Sequence, residues 1–156
     1  MKTRIWLAMI ITFGMISCGK DKFETIPQLE YISRNPEKEP VKIGDPFRLN
    51  IEFRDKEGDV SDTLFIVRQR LNMHGPVQLP ASFYLIPDFP KTDRGEFEIT
   101  LEYYNDLTTA LTAISIPGSG SPAKKEIDTL RLKIVARDNA GNKSDTLVVD
   151  NVYVIR

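Results

Sequence analysis

The chain is 156 residues long and carries 21 lysines and arginines against 22 aspartates and glutamates, a formal charge of −1, with one cysteine and one histidine. That balance leaves no basic patch to hold a phosphate backbone, which excludes nucleic acid as a partner. A single cysteine excludes an internal disulfide, and a single histidine leaves a zinc centre with carboxylates almost alone.

In chain order, MKTRIWLAMIITFGMISC opens with Lys2 and Arg4, continues as an apolar run from Ile5 to Ile16 and ends in Ser17-Cys18. The run is too short to cross a bilayer as a helix, and it has the charged front and small-residue exit of an export signal. Met15-Ile16-Ser17-Cys18 resembles a bacterial lipobox, in which a small residue precedes a cysteine that is lipidated and becomes the mature N-terminus. The resemblance implies a lipoprotein signal peptide over 1–17 and lipidation at Cys18. Two or more acyl chains, at ~0.8 kcal/mol per buried CH₂, hold a protein stably on a membrane. Residues 18–28 then form the lipidated cysteine and a flexible tether, because GKDKFETIPQ is polar and lacks periodicity. Gly19 is not the aspartate that signals inner-membrane retention, and Lys20-Asp21 resembles the export signal of surface lipoproteins. Together these imply an outer-membrane address, on the periplasmic or the cell-surface face. Without Lys2 and Arg4 the remainder holds 19 basic against 22 acidic side chains, a charge of −3.

Beyond the tether the sequence alternates. In PFRLNIEFRD, Phe47, Leu49, Ile51 and Phe53 point one way while Arg48, Asn50, Glu52 and Arg54 point the other. GEFEITLEY sets Phe97, Ile99, Leu101 and Tyr103 against Glu96, Glu98, Thr100 and Glu102, and DTLRLKIVARD sets Leu130, Leu132, Ile134 and Ala136 against Thr129, Arg131 and Lys133. A period of two with one wet face marks antiparallel sheets covered on one side, and two such sheets stack into a sandwich. TLFIVRQRL (63–71) and TLVVDNVYVI (146–155) are more continuously apolar, as strands with more cover or a bulge are. LEYIS near Leu29 and SFYLI near Phe83 are weaker strands, and NDLTTAL (105–111) suits a helical turn capped by Asn105 or Asp106. The prediction is an all-β domain over 29–156, a single antiparallel immunoglobulin-like β-sandwich of about seven strands. In immunoglobulin order these are A near Leu29, B from Phe47, C from Thr63, D near Phe83, E near Phe97, F near Leu130 and G near Leu147.

One corner is written twice. RDKEGDVSDTL (54–64) returns as RDNAGNKSDTL (137–147), on the B–C and F–G connections at one pole of the sandwich. An aspartate that bonds local amides and a glycine able to take positive φ serve a sharp turn, so geometry alone accounts for the duplication. The first copy also carries hard oxygen donors. Asp55, Glu57 and Asp59 alternate around a glycine, and Asp138, Asn139 and Asn142 can add oxygens from the neighbouring loop, a pattern compatible with calcium. The second copy has Ala140 and Asn142 where the first has Glu57 and Asp59, and neither copy has EF-hand spacing. GDPFRLNIEFRDKEGDVSD and RLKIVARDNAGNKSDTL resemble the corners and closing hairpin of small Bacteroidota lipoproteins with immunoglobulin-, cadherin- or PKD-like sandwiches. That likeness implies architecture and no substrate.

Chemistry for catalysis is thin. Glu96, Glu98 and Glu102, spaced by two, share one solvent face and do not flank a cleft, and Gly118-Ser119-Gly120-Ser121-Pro122 is not a nucleophile elbow. The expected function is that of a non-catalytic outer-membrane or cell-surface lipoprotein, not an enzyme, held by Cys18. It presents the long C–D (72–80) and E–F (104–126) loops, with His74 and Tyr104, to a protein or glycan partner. Those loops lie at the pole away from the anchor, and GSGSP also suits slack chain. The alternative is a calcium-stabilised structural or adhesive module whose work is at the acidic pole.

Overall fold

The computed structural model describes residues 25–60 and 62–156. The expected signal peptide, Cys18 and most of the tether lie outside the described residues. Eight strands follow: β1 (Gln28–Asn35), β2 (Phe47–Arg54), β3 (Thr63–Arg70), β4 (Val77–Gln78), β5 (Ser82–Leu85), β6 (Arg94–Leu101), β7 (Asp128–Arg137) and β8 (Leu147–Val154). They make two antiparallel sheets, β1-β2-β6 and β4-β3-β7-β8, with β5 also paired to β3. This is the all-β sandwich that the alternation predicts, with one more strand than about seven.

The core is the inward row of each strand. Phe47, Leu49, Ile51 and Phe53 from β2 meet Leu130, Leu132, Ile134 and Ala136 from β7, and all eight are buried. Each such large side chain stabilises the fold by about 2 kcal/mol relative to exposure. Ile99, Leu101, Leu64, Ile66, Val149, Val152 and Val154 complete the core. β8 keeps both Val149 and Val152 inside because a bulge breaks its alternation. The register to β7 slips between Leu130 and Leu132, and Asn151 takes φ 57°.

Phe83 departs from the expected order. Its strand, β5, pairs Thr63–Ile66 of β3 and does not lie beside β6 as a D strand would. The short connection explains this. β4 pairs Gln69 and Arg70, Leu79 N–H bonds Arg68 O at 2.9 Å, and the chain stays on the same edge of β3 through Pro80, whose missing N–H breaks the ladder. Among the described residues, no strand pairs with the outer edge of β6.

The E–F connection is not slack. It begins with a π-helical turn, Tyr103–Leu107, and buries Tyr103, Leu107 and Leu111. Tyr103 Oη donates to Ile155 O at 2.6 Å, and Asp106 Oδ2 accepts the Glu102 N–H at 2.8 Å. GSGSP is the tip of a hairpin closed by Glu126 N–H to Ile114 O and Ile116 N–H to Lys124 O, each 2.8 Å. No helix among the described residues is long and apolar enough to cross a membrane.

Candidate metal centre

β2 and β7 carry their inward rows past the strand ends. The β2 row continues from Phe53 to Asp55, and the β7 row runs from Asp128 through its apolar residues to Asp138. Period two therefore buries three aspartates: Asp55 is 1% exposed, Asp128 and Asp138 are 0%.

A buried charge must be paired or neutralised. Asp128 is paired: Arg70 Nη1 lies 3.6 Å from its Oδ1, and Arg156 Nε lies 3.3 Å from its Oδ2. At the other pole the neighbours are carboxylates. Asp55, Asp59 and Asp138 each offer an oxygen, and these oxygens lie within 4.8 Å of one another. None of the three takes part in an ion pair among the described residues.

Both copies of the corner fold alike. Asp55 Oδ2 accepts the Asp59 N–H at 3.0 Å, and Asp55 O accepts that of Gly58 at 3.1 Å. Asp138 Oδ1 accepts the Asn142 N–H at 2.7 Å, and Asp138 O accepts that of Gly141 at 3.1 Å. Gly58 and Gly141 sit at φ 66° and 92°, where a side chain would be strained. A Cβ on Gly58 would also meet the Thr92 backbone at 3.0 Å. The repetition is thus turn geometry in both places.

The residue after the glycine separates the copies. Asn142 Nδ2 donates to Asp138 Oδ2 at 2.8 Å and completes that carboxylate. Asp59 stands where Asn142 stands, and an ionised carboxylate has no proton to donate. Asp55 Oδ1 and Asp59 Oδ1 are buried without a hydrogen-bond partner. Burial pushes the Asp59 carboxyl above its ordinary value, followed by its contact with Asp55 and the charges of Asp138, Asp55 and Glu57. Three carboxylates with oxygens within 4.8 Å of one another form a hard, anionic oxygen site, the kind that suits calcium rather than a metal seeking nitrogen or sulfur.

Of the six residues expected at a metal, the structure brings together the side chains of Asp55, Asp59 and Asp138. Glu57 is exposed at the rim and acts on Asp59 through charge. Asn142 supports Asp138, and Asn139 N–H donates to Asp59 O at 3.2 Å, tying the two loops together. His74 is exposed, with Nδ1 2.9 Å from Glu126 Oε1, a bond that joins the C–D and E–F connections. Tyr104 is 64% exposed and packs edge-on against Tyr103 with centroids 4.9 Å apart. Sequence reasoning missed Arg68, Arg70, Asp128 and Arg156, which bind the E–F connection. Parity carried the signal, since Arg68 and Arg70 continue the inward row of Leu64 and Ile66. No protein-family model, curated protein or solved structure gives a significant match to this chain.

Proposed function

We propose that this chain is a non-catalytic, lipid-anchored β-sandwich protein of the outer membrane, with a bound calcium ion stiffening the pole nearest the membrane. The opposite pole is offered to a protein or glycan partner. One observation carries the metal: at one end of β7 the buried Asp138 meets two further carboxylates and no ion-pair partner among the described residues, whereas Asp128 at the other end lies 3.6 Å and 3.3 Å from two guanidiniums. A divalent cation supplies the missing charge and takes up the orphaned oxygens. The anchor rests on the resemblance of Met15–Cys18 to a lipobox. Its side follows from Thr25, whose carbonyl accepts Asn142 Nδ2 at 3.3 Å beside the acidic cluster. At ~3.5 Å per residue, a lipid on Cys18 would reach no further than ~25 Å from Thr25, which supports an anchor on that side. At the far pole Met73, 88% exposed, stands near His74 in sequence, and Tyr104 is exposed there too, which supports a partner at that end.

Thermal melting tests the metal. With a dissociation constant of ~0.1 mM, a calcium concentration of ~2 mM adds about 1.8 kcal/mol. That corresponds to a rise in Tm of roughly 5 °C over the protein in chelator. Equal Tm values in the two conditions end the calcium reading. Mass spectrometry of protein extracted from native membranes tests the anchor, which requires acyl groups on Cys18.

A further inference from the structure

One side of the sandwich is unfinished. Among the described residues, β6 is the last strand of its sheet. The Asp55 N–H bond to Asp93 O sets the phase of the β2–β6 ladder, so the odd-numbered residues of β6 bond to β2. The peptide groups of Glu96, Glu98 and Thr100 point to the open edge, while those of Arg94 are taken up by the Thr92 hydroxyl. Across the gap lie β5 and the segment after it, the edge of the other sheet. Between the two edges runs an apolar trough made of two cavities, about 390 Å³ and about 200 Å³, which share Ile86, Pro87 and Phe97 as walls. Phe53 and Phe89 close one end, and Leu64 and Tyr84 line the other.

An open strand edge beside an apolar trough receives one more strand: the backbone supplies the bonds, and alternate side chains fill the trough. The rim decides which strand. Glu96 and Glu98 stand on the outer face of β6 and border the trough, as does Asp88. The nearby cations are partly engaged, Arg94 with Glu52 at 3.0 Å and Arg48 with Glu98 at 3.6 Å. A second copy offering its own β6 would set glutamate against glutamate, which destabilises a strand pair.

We propose that the β6 edge and its trough bind an extended segment of a partner protein in which apolar residues alternate with lysine or arginine. The apolar set enters against Phe97, Ile86 and Phe89. The basic set lies over Glu96 and Glu98, and the segment's backbone bonds to Glu96, Glu98 and Thr100. Calcium has no part in this contact, so binding is expected in chelator and stands or falls separately from the metal.

The probe is a peptide of roughly nine residues alternating isoleucine with lysine, long enough to cover the strand at ~3.4 Å per residue, compared with its isoleucine–glutamate counterpart. In chelator the lysine peptide binds at least about tenfold more tightly. It slows hydrogen exchange at the amides of Glu96, Glu98 and Thr100 and leaves Phe97 and Ile99 unchanged. Glu98→Pro removes one outward N–H without touching the ladder to β2, and abolishes binding. The double substitution E96K/E98K, which leaves the backbone intact and so decides the matter even where the proline variant does not fold, reverses the preference to the glutamate peptide. Equal affinity for both peptides, no affinity for either, or protection on β1 or β5 instead overturns the proposal.

Discussion

Asp59 is the residue on which the two corners part, and a single substitution converts one corner into the other. Asp59→Asn places an amide where Asn142 already serves the second copy, so its Nδ2 donates to the orphaned Asp55 Oδ1. One buried hydrogen bond adds about 1 kcal/mol, so in chelator the variant is expected to melt roughly 3 °C above the parent. Its response to calcium is expected to vanish, because one of the three charges is gone. Melting both proteins with and without calcium checks the two statements together, and a variant that is destabilised in chelator, or keeps the full calcium shift, contradicts them. The pH dependence has a definite sign. The Asp59 carboxyl is raised in the folded protein, by burial first, so without metal its contribution to stability is complete below the unfolded value and is lost as pH rises through the folded one. In chelator Tm is therefore expected to climb as pH is lowered from neutrality towards that of an ordinary carboxyl. The calcium increment runs the opposite way, because protonation removes the ligand. Asp55, Asp59 and Asp138 are legible in sequence from residue type and spacing. Their burial is legible too, since Asp55 and Asp138 share parity with the apolar rows before them. What the turn chemistry hid is which of the six candidates converge, because the same glycine corner forms with Asp59 in one copy and Asn142 in the other.

At the scale of elements, the E–F connection is held by side chains that the alternation of β3 and β7 turns inward. Arg68 donates to Asp106 O and to Thr109 O, and Arg70 donates to Gly75 O and Thr112 O at 2.8 Å each. Arg156 donates to Leu111 O. Asp128 sits under Arg70 and Arg156 and pairs with both inside the fold. Removing one partner of a buried pair leaves the other uncompensated, so Asp128→Asn is expected to cost about 3 kcal/mol. The loss should concentrate in the E–F connection: faster hydrogen exchange for Leu107, Thr108 and Leu111, whose N–H groups bond within it, before any change at β2. Uniform loosening of both sheets would contradict this account. Loop length and the GSGSP composition point to slack chain, and these inward arginines are why the connection is ordered instead. The position of β5 was hidden for a different reason. SFYLI reads as a strand, but its choice of sheet depends on the three residues Leu79–Ala81, too short to cross the sandwich, and on Pro80 interrupting one long edge strand rather than separating two. Strand existence and inward face follow from period two, whereas the partner of an edge strand follows from the reach of its connection.

For the whole molecule, the acidic pole is where the two sheets are joined across their ends. Asp55 leaves β2 in one sheet, while Asp138 leaves β7 and Asp59 leads into β3 in the other. Asp55 and Asp138 are 83 residues apart in the chain, so the site can close only when both sheets have formed and stacked. Folding of such a non-local β topology reaches its transition state before late contacts of this kind are complete. Interactions absent from the transition state act on the unfolding rate and leave the folding rate nearly unchanged. A calcium stabilisation of about 1.8 kcal/mol is therefore expected to appear as a roughly twentyfold slower unfolding, with refolding altered by less than about twofold. Stopped-flow denaturant jumps with and without calcium separate the two limbs. Sodium chloride at matched ionic strength is the control, because it screens the repulsion among the carboxylates without bridging them. If salt alone reproduces the slower unfolding, the pole is a repulsive patch rather than a binding site. If calcium accelerates refolding instead, the two corners meet early and the metal nucleates the fold, against the order of assembly that the chain separation implies.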